Sequence, residues 1–214
     1  VTVDVVDSVG GNIIVDGYLK DVAGLKTGGA TVIFDSASTY ELAHNGGAAS
    51  GIPTATWKTG STCLITGASG SISSTTGYNA NQDFYNLTIN AAITSNKDLA
   101  MFGNTINGAL TINNTGSARI YLTSPGAGTF NTITIKGNLL LTAGQFSTNG
   151  SSGQDTITIN SYGNITATGG NFSLSRGSVP IVRWNSYGDS LSLSNATTEQ
   201  SSNKTMFVFA KHVR

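Results

Sequence analysis

Charge is scarce in this sequence. Only 10% of its 214 residues are Asp, Glu, Lys or Arg, with eleven of each sign and no net charge. Binding to nucleic acid or to an anionic membrane surface requires a basic face, so both are excluded as partners. Cysteine occurs once, at Cys63, so no intramolecular disulfide can staple the chain. Proline occurs three times, leaving long stretches free to pair as strands. No apolar run approaches the roughly 20 residues of a membrane-spanning helix. The phosphate-cradling glycine loop, the nucleophile elbow and the glycine-rich calcium nonapeptide are all missing. No leader-like segment opens the sequence at Val1, so an export signal is expected upstream or already removed.

What the sequence has is a ladder. An apolar-x-apolar unit recurs as LTI, LTI, ITI, ITI and VRW, starting at Leu87, Leu110, Ile133, Ile157 and Val182, at intervals of 23, 23, 24 and 25. Backwards the register meets Cys63 and Tyr40; forwards it meets Phe207. The residue two places on keeps the pattern: Leu42, Ile65, Ile89, Ile112, Ile135, Ile159, Trp184 and Phe209. Alternation at i and i+2 is the strand signature, and a period in the twenties marks stacked repeats too small to hold separate cores. The fold class is therefore all-β, a parallel β-helix (β-solenoid) of about 24 residues per coil and about nine coils. Right-handed winding is expected for parallel crossover connections. Val182 and Trp184 are read as inward, because the other register would bury the Arg183 guanidinium unpaired. Cys63 falls inward as a small buried apolar residue.

Further pairs define the cross-section. Leu139 and Leu141 recur as Ile165 and Ala167, then Leu191 and Leu193, while Phe146 recurs as Phe172, which implies two or three walls. Residues 1–214 are read as one domain and as a segment of a longer chain, since neither end shows a polar cap. Residues 1–34, with Val1, Val3, Val5, Ile13 and Val15 among glycines, form the first, loosely registered coils. Residues 44–82 are expected to hold loop excursions. Asn90, Asn113, Asn160 and Asn185 follow ladder strands, where an amide can hydrogen-bond to the next copy.

Residues 31–66, "TVIFDSASTYELAHNGG…IPTATWKTGSTCLITG", followed by "FYNLTIN", carry a family pattern. This stretch resembles large secreted β-solenoid proteins of Bacteroidetes, in which YxHxxNGGxIPxATWxxGSTCxITG recurs among Gly/Thr-rich coils. Here His44 and Asn45 are adjacent and "AAS" follows the two glycines. The resemblance implies extracellular or cell-surface display through type IX secretion, and an adhesive or surface-layer role. It implies no catalytic residue.

Three function classes follow. The first is a non-enzymatic structural or adhesive module, with surface glycans or other extracellular proteins as partners and end-to-end self-association. Candidate glycan-binding residues are Trp57, Tyr121, Tyr162 and Tyr187, because sugar rings stack on aromatic faces; Tyr162 and Tyr187, both in SYG, are expected to stack on one edge. The second is a polysaccharide lyase or hydrolase, or its binding module, which needs paired acids. The acids are scattered; Asp35, Glu41 and His44 come nearest to a cluster, and Lys136 and Arg183 have no acidic company. No catalytic residue, cofactor or dedicated metal site is assigned, although Asp98 or Asp155 suits a loop calcium. The third is ice binding, suggested by an outward threonine column at Thr88, Thr111, Thr134 and Thr158, with Thr132 and Thr156 beside it.

Overall fold

The computed structural model describes residues 11–45, 51–67, 77–123, 129–150, 156–176, 181–199 and 205–209. All of its sheets are parallel, and they stack as a β-solenoid of roughly 25 residues per turn. Wall one has eight strands: Tyr18–Asp21, Thr39–Leu42, Thr62–Ile65, Asn86–Asn90, Leu110–Asn114, Leu139–Leu141, Ile165–Ala167 and Leu191–Ser192. Wall two has five: Lys97–Asp98, Arg119–Thr123, Gln145–Asn149, Asn171–Ser173 and Thr197–Thr198. Wall three has five: Thr105–Ile106, Phe130–Ile135, Thr156–Ser161, Ile181–Ser186 and Thr205–Phe209. A three-stranded sheet (Asn12–Val15, Thr31–Phe34, Ala55–Trp57) takes the place of wall three in the early coils.

Leu87 pairs with Leu110, and the column Tyr40, Cys63, Leu87, Leu110 runs unbroken up wall one. Beyond Leu110 the sequence ladder and the spatial ladder part. Leu110 pairs with Leu139, 29 residues on, and the column continues through Ile165 to Leu191. Ile133, Ile157 and Val182 belong to wall three instead. Even there the register differs: Ile133 faces Ile159, and Trp184 rather than Val182 faces Phe207. LTI and ITI look alike because every wall imposes the same inward alternation. The triplet reports that a strand lines the core, not which wall it occupies.

The core is a set of such columns. Leu87, Ile89, Leu110, Ile112, Ile133, Ile159, Val182 and Trp184 are all 0% exposed, whereas Arg183 is exposed, as the alternation requires. Phe146 and Phe172 pair on wall two with ring centroids 5.6 Å apart, and Trp184 packs against both. Among the early coils Phe34, Tyr40, Trp57 and Phe84 form a second aromatic cluster. Within 44–82, the strands Ala55–Trp57 and Thr62–Ile65 are part of the stack. Where wall three lacks a strand at Gln82, its side chain substitutes: Oε1 accepts the Ala55 N–H and the Trp57 indole N–H, both at 3.1 Å. Val1, Val3 and Val5 lie outside the described residues.

Two ions sit inside this frame, each held by several partners. The Asp21 carboxylate accepts the N–H groups of Ala23, Gly24 and Leu25 and the Tyr40 hydroxyl, at 3.2, 2.6, 2.9 and 2.7 Å. Burial, reinforced by that carboxylate, pushes the Tyr40 phenol far above its ordinary range. Arg119, 5% exposed, donates to Gln145 Oε1 (2.7 Å), Asn171 Oδ1 (2.9 Å), Ser173 Oγ (3.1 Å) and Glu199 Oε2 (3.0 Å). Those groups come from the next three coils, so one side chain straps four coils together. Burial, with Arg176 nearby, lowers the Arg119 pKa, and Glu199 opposes the shift.

Cysteine pairs test the wall-three register. Paired parallel residues lie about 4.8 Å apart, within disulfide range, whereas a two-residue offset puts Cα atoms about 8 Å apart, outside it. Thr132→Cys with Thr158→Cys should cross-link under mild oxidation, and Thr134→Cys with Thr158→Cys should not. The reverse result would reinstate the simple sequence ladder. Cys63 stays silent in this test, being 0% exposed with its thiol pKa raised by burial.

Candidate functional site

The four aromatic candidates separate into two kinds. Trp57 is a core residue: its ring stacks on Phe34 at 4.3 Å and its indole N–H is bonded to Gln82. It is not available as a projecting platform. Tyr121, half-buried on wall two, accepts from Asn96 Nδ2 at 3.0 Å through its hydroxyl. Its ring lies so close over Gly150 that no Cβ fits there. Tyr162 and Tyr187 are 52% and 38% exposed, and their rings stack with centroids 4.8 Å apart and planes 13° from parallel. That separation matches the strand spacing, so the rings follow the coil repeat.

The corner between walls three and one holds this pair in place. Tyr187 N–H donates to Ser161 O, Tyr162 N–H to Ile135 O, Lys136 N–H to Ile106 O and Asn107 N–H to Phe84 O, at 2.7–2.9 Å. These parallel-ladder bonds align Tyr85, Asn107, Lys136, Tyr162 and Tyr187 as one column along the edge. The next residue in each of the last four coils is glycine: Gly108, Gly137, Gly163 and Gly188. A Cβ on Gly137, Gly163 or Gly188 would collide with the backbone of the glycine below. Asparagine then closes the turn. Asn138 Oδ1 accepts the Asn164 N–H at 2.9 Å, and Asn164 Oδ1 accepts the Asp189 and Ser190 N–H groups at 2.9 and 3.1 Å. The glycines permit close approach, the amides replace missing ladder bonds, and the tyrosines are left projecting.

Stacking has a chemical consequence. Each tyrosine turns one face to the other, so the pair offers ring edges and hydroxyls outward. Beside it on wall three, Asn185 Nδ2 donates to Asn160 Oδ1 at 2.9 Å, an amide bond between coils. Arg183 Nε donates to Asn185 Oδ1 at 2.9 Å, and Lys136 Nζ to Asn107 Oδ1 at 2.8 Å.

The acids have structural partners. Glu41, 6% exposed, pairs with Lys20 at 3.4 Å and accepts the Thr66 hydroxyl. Asp35 accepts the Ser36 N–H at 2.8 Å and Asp83 the Thr105 N–H at 2.7 Å. Asp98 Oδ1 accepts the Ala100 N–H at 2.7 Å, and Glu199 pairs with Arg119 and Arg176. His44 is buried. Asp4, Asp7, Asp155 and His212 lie outside the described residues. Among the described residues no group of three or more His, Cys, Asp or Glu side chains could hold a metal ion, and no helix is long and apolar enough to cross a membrane.

The threonine column resolves into separate pieces. Thr88 and Thr111 are partners on wall one, flanked by Leu64 and Leu140. Thr134 and Thr158 lie on wall three in different columns, facing Asn160 and Thr132. The regular array on which ice binding depends is therefore not formed, because the sequence period crosses from one wall to another.

A cavity of about 430 Å³ is lined by Leu191, Leu193, Phe207 and Phe209, with Phe172 and Leu174 below. Phe209 is 49% exposed although its strand parity points it inward.

No family model matches the chain, and neither a curated protein nor a solved structure does so.

The corner makes a measurable claim. Gly163→Ala should destabilise the fold by about 1–3 kcal/mol, the usual cost of overpacking. Tyr162→Ala should cost only about 0.5–1.5 kcal/mol, the worth of an aromatic pair. Urea unfolding followed by circular dichroism measures both, and a neutral Gly163→Ala would refute the close-approach account.

Proposed function

We propose that this chain is a non-catalytic structural and adhesive module of an extracellular or cell-surface protein or filament. The observation that carries the reading is the in-register stack of parallel coils, a rigid and regular rod of repeated layers. A solenoid core is buried only by its neighbours, so stacking of like layers is the mode of assembly that this fold favours. Two features add support. Asp21, Asp35, Glu41, Asp83, Asp98 and Glu199 each hold a structural partner rather than facing one another as a reactive pair. The pattern in residues 31–66 resembles secreted surface solenoids, which supports display outside the cell. Surface glycans, other extracellular proteins and a second copy of the chain are the partners this reading implies.

Head-to-tail contact between copies would be heterologous and able to propagate. Sedimentation velocity over a hundredfold range of concentration should show mass-dependent association. Phe209→Asp should weaken it at least tenfold, because an unpaired carboxylate would enter an apolar contact. A chain that stays monomeric throughout and is indifferent to Phe209→Asp would overturn end-to-end assembly. Release of reducing ends or unsaturated sugars from a polysaccharide would overturn the non-catalytic assignment.

A further inference from the structure

The exposed apolar side chains are unevenly distributed. Among the described residues, Phe130 (84%), Tyr162 (52%), Met206 (49%), Ile181 (46%) and Tyr187 (38%) all project from the outer side of wall three or its corner. Outside the early coils, where Ile14, Tyr18 and Val22 are exposed, no large apolar side chain is exposed on the outer faces of walls one and two among the described residues. Concentration of this kind on one face marks an interaction surface.

The layout indicates what would bind there. In the three long strands of wall three and their corner, the outward positions form four columns across the coil. Phe130, Thr156 and Ile181 stand at one margin, and Lys136, Tyr162 and Tyr187 at the other. Between them lie Thr132, Thr158 and Arg183, then Thr134, Asn160 and Asn185. From Ile181 to Tyr187 the face spans about 20 Å, at about 3.3 Å per residue. A protein interface places apolar groups at its centre and polar groups at its rim. Here the order is reversed, and covering the polar floor with protein would strand its amides and hydroxyls unless each were matched. A carbohydrate fits better, because every sugar carries hydroxyls for the floor and apolar C–H surface for the flanking side chains.

Charge narrows the class. None of the twelve outward positions is a carboxylate, and two are cations, Lys136 and Arg183. Both donate to neutral amide oxygens, and neither enters an ion pair among the described residues. Asp83 lies two coils below Lys136, with its carboxylate on the Thr105 amide. Asp189 lies beyond the corner. Arg183 stands two coils above Lys136 and two columns across, a separation of about 16 Å from strand geometry. No monosaccharide bridges that distance, whereas a polymer carrying several acidic groups does.

We propose that the outer face of wall three binds an acidic polysaccharide. Arg183 and Lys136 receive its carboxylate or sulfate groups, and Phe130, Ile181 and the tyrosine pair flank its sugar rings. The proposal deepens the adhesive half of the function proposed above and rests on it. The test is affinity electrophoresis through gels containing alginate, chondroitin sulfate or uncharged hydroxyethyl cellulose. Retardation is expected with at least one acidic polymer and not with the neutral one. Arg183→Ser and Lys136→Ser should each weaken it about tenfold, the worth of one charge-assisted hydrogen bond. Leu140→Ser, on the outer face of wall one, should leave it unchanged. Circular dichroism and thermal melting verify that each variant folds. Indifference to both acidic polymers, equal retardation by the neutral one, or an unaltered Arg183→Ser would overturn the proposal. Because self-association is measured separately, failure here with association intact removes the acidic-glycan face and leaves the structural module standing.

Discussion

The structure depends on one spacing. Successive coils lie about 4.8 Å apart, the distance set by backbone hydrogen bonds between parallel strands. Every interior side chain is covered only by its counterparts one coil above and below. Identical or similar residues therefore recur in columns, and any residue that thickens a coil is excluded where backbones touch. Gly137, Gly163 and Gly188 mark such contacts, because each would drive a Cβ into the glycine beneath. The same spacing brings Tyr162 and Tyr187 to 4.8 Å and an amide of Asn185 onto Asn160. Surface ladders and core columns share one origin.

That origin explains what was legible beforehand. Alternation identified the inward residues well: Cys63, Leu87, Ile112, Trp184 and Phe172 are all buried. The Leu139, Ile165, Leu191 column and the Phe146, Phe172 pair also follow from spacing alone. Wall assignment was not legible, because three walls obey one alternation rule and the coil length varies. The 29-residue step from Leu110 to Leu139 breaks a near-constant period, and a 23-residue step to Ile133 remains available as a false continuation. Trp57 could be read either as packed on the solenoid or as projecting from it. The deciding contact is remote in sequence: Gln82 supplies the amide oxygen that the Trp57 indole and the adjacent strand need. The exposure of Phe130 carried one signal: it has the same parity as Thr132 and Thr134.

Polar groups are treated differently in different parts of the stack. Asp21 is enclosed by three backbone amides and a phenol, so its charge is spent on closing a turn. Arg119 is spent on joining coils, with acceptors from wall two and a carboxylate at Glu199. Neither ion is free to meet a ligand, and leaving either without partners would be severely destabilising. With so few charges in the chain, those not committed to the interior stand out. Lys136 and Arg183 are two of them.

The three outer faces can then be compared on the same terms. On wall two the outward side chains Arg119, Ser147 and Ser173 are themselves buried, so that face is not a free surface. On wall one the outward column runs Leu64, Thr88, Thr111, Leu140 and Thr166, half-buried, and the cation below it, Lys20, is paired with Glu41. Among the described residues, wall three combines exposed rings, a ladder of amides and two cations outside any ion pair. Three successive strands of wall three, each of six residues, are the longest among the described residues. A long, regular sheet holds its outward groups at fixed intervals without any ordering cost on binding. A rigid lattice of donors at 4.8 Å is matched to an extended polymer rather than to a small compact ligand. The repeat that makes the core thus also determines what kind of molecule the surface can recognise.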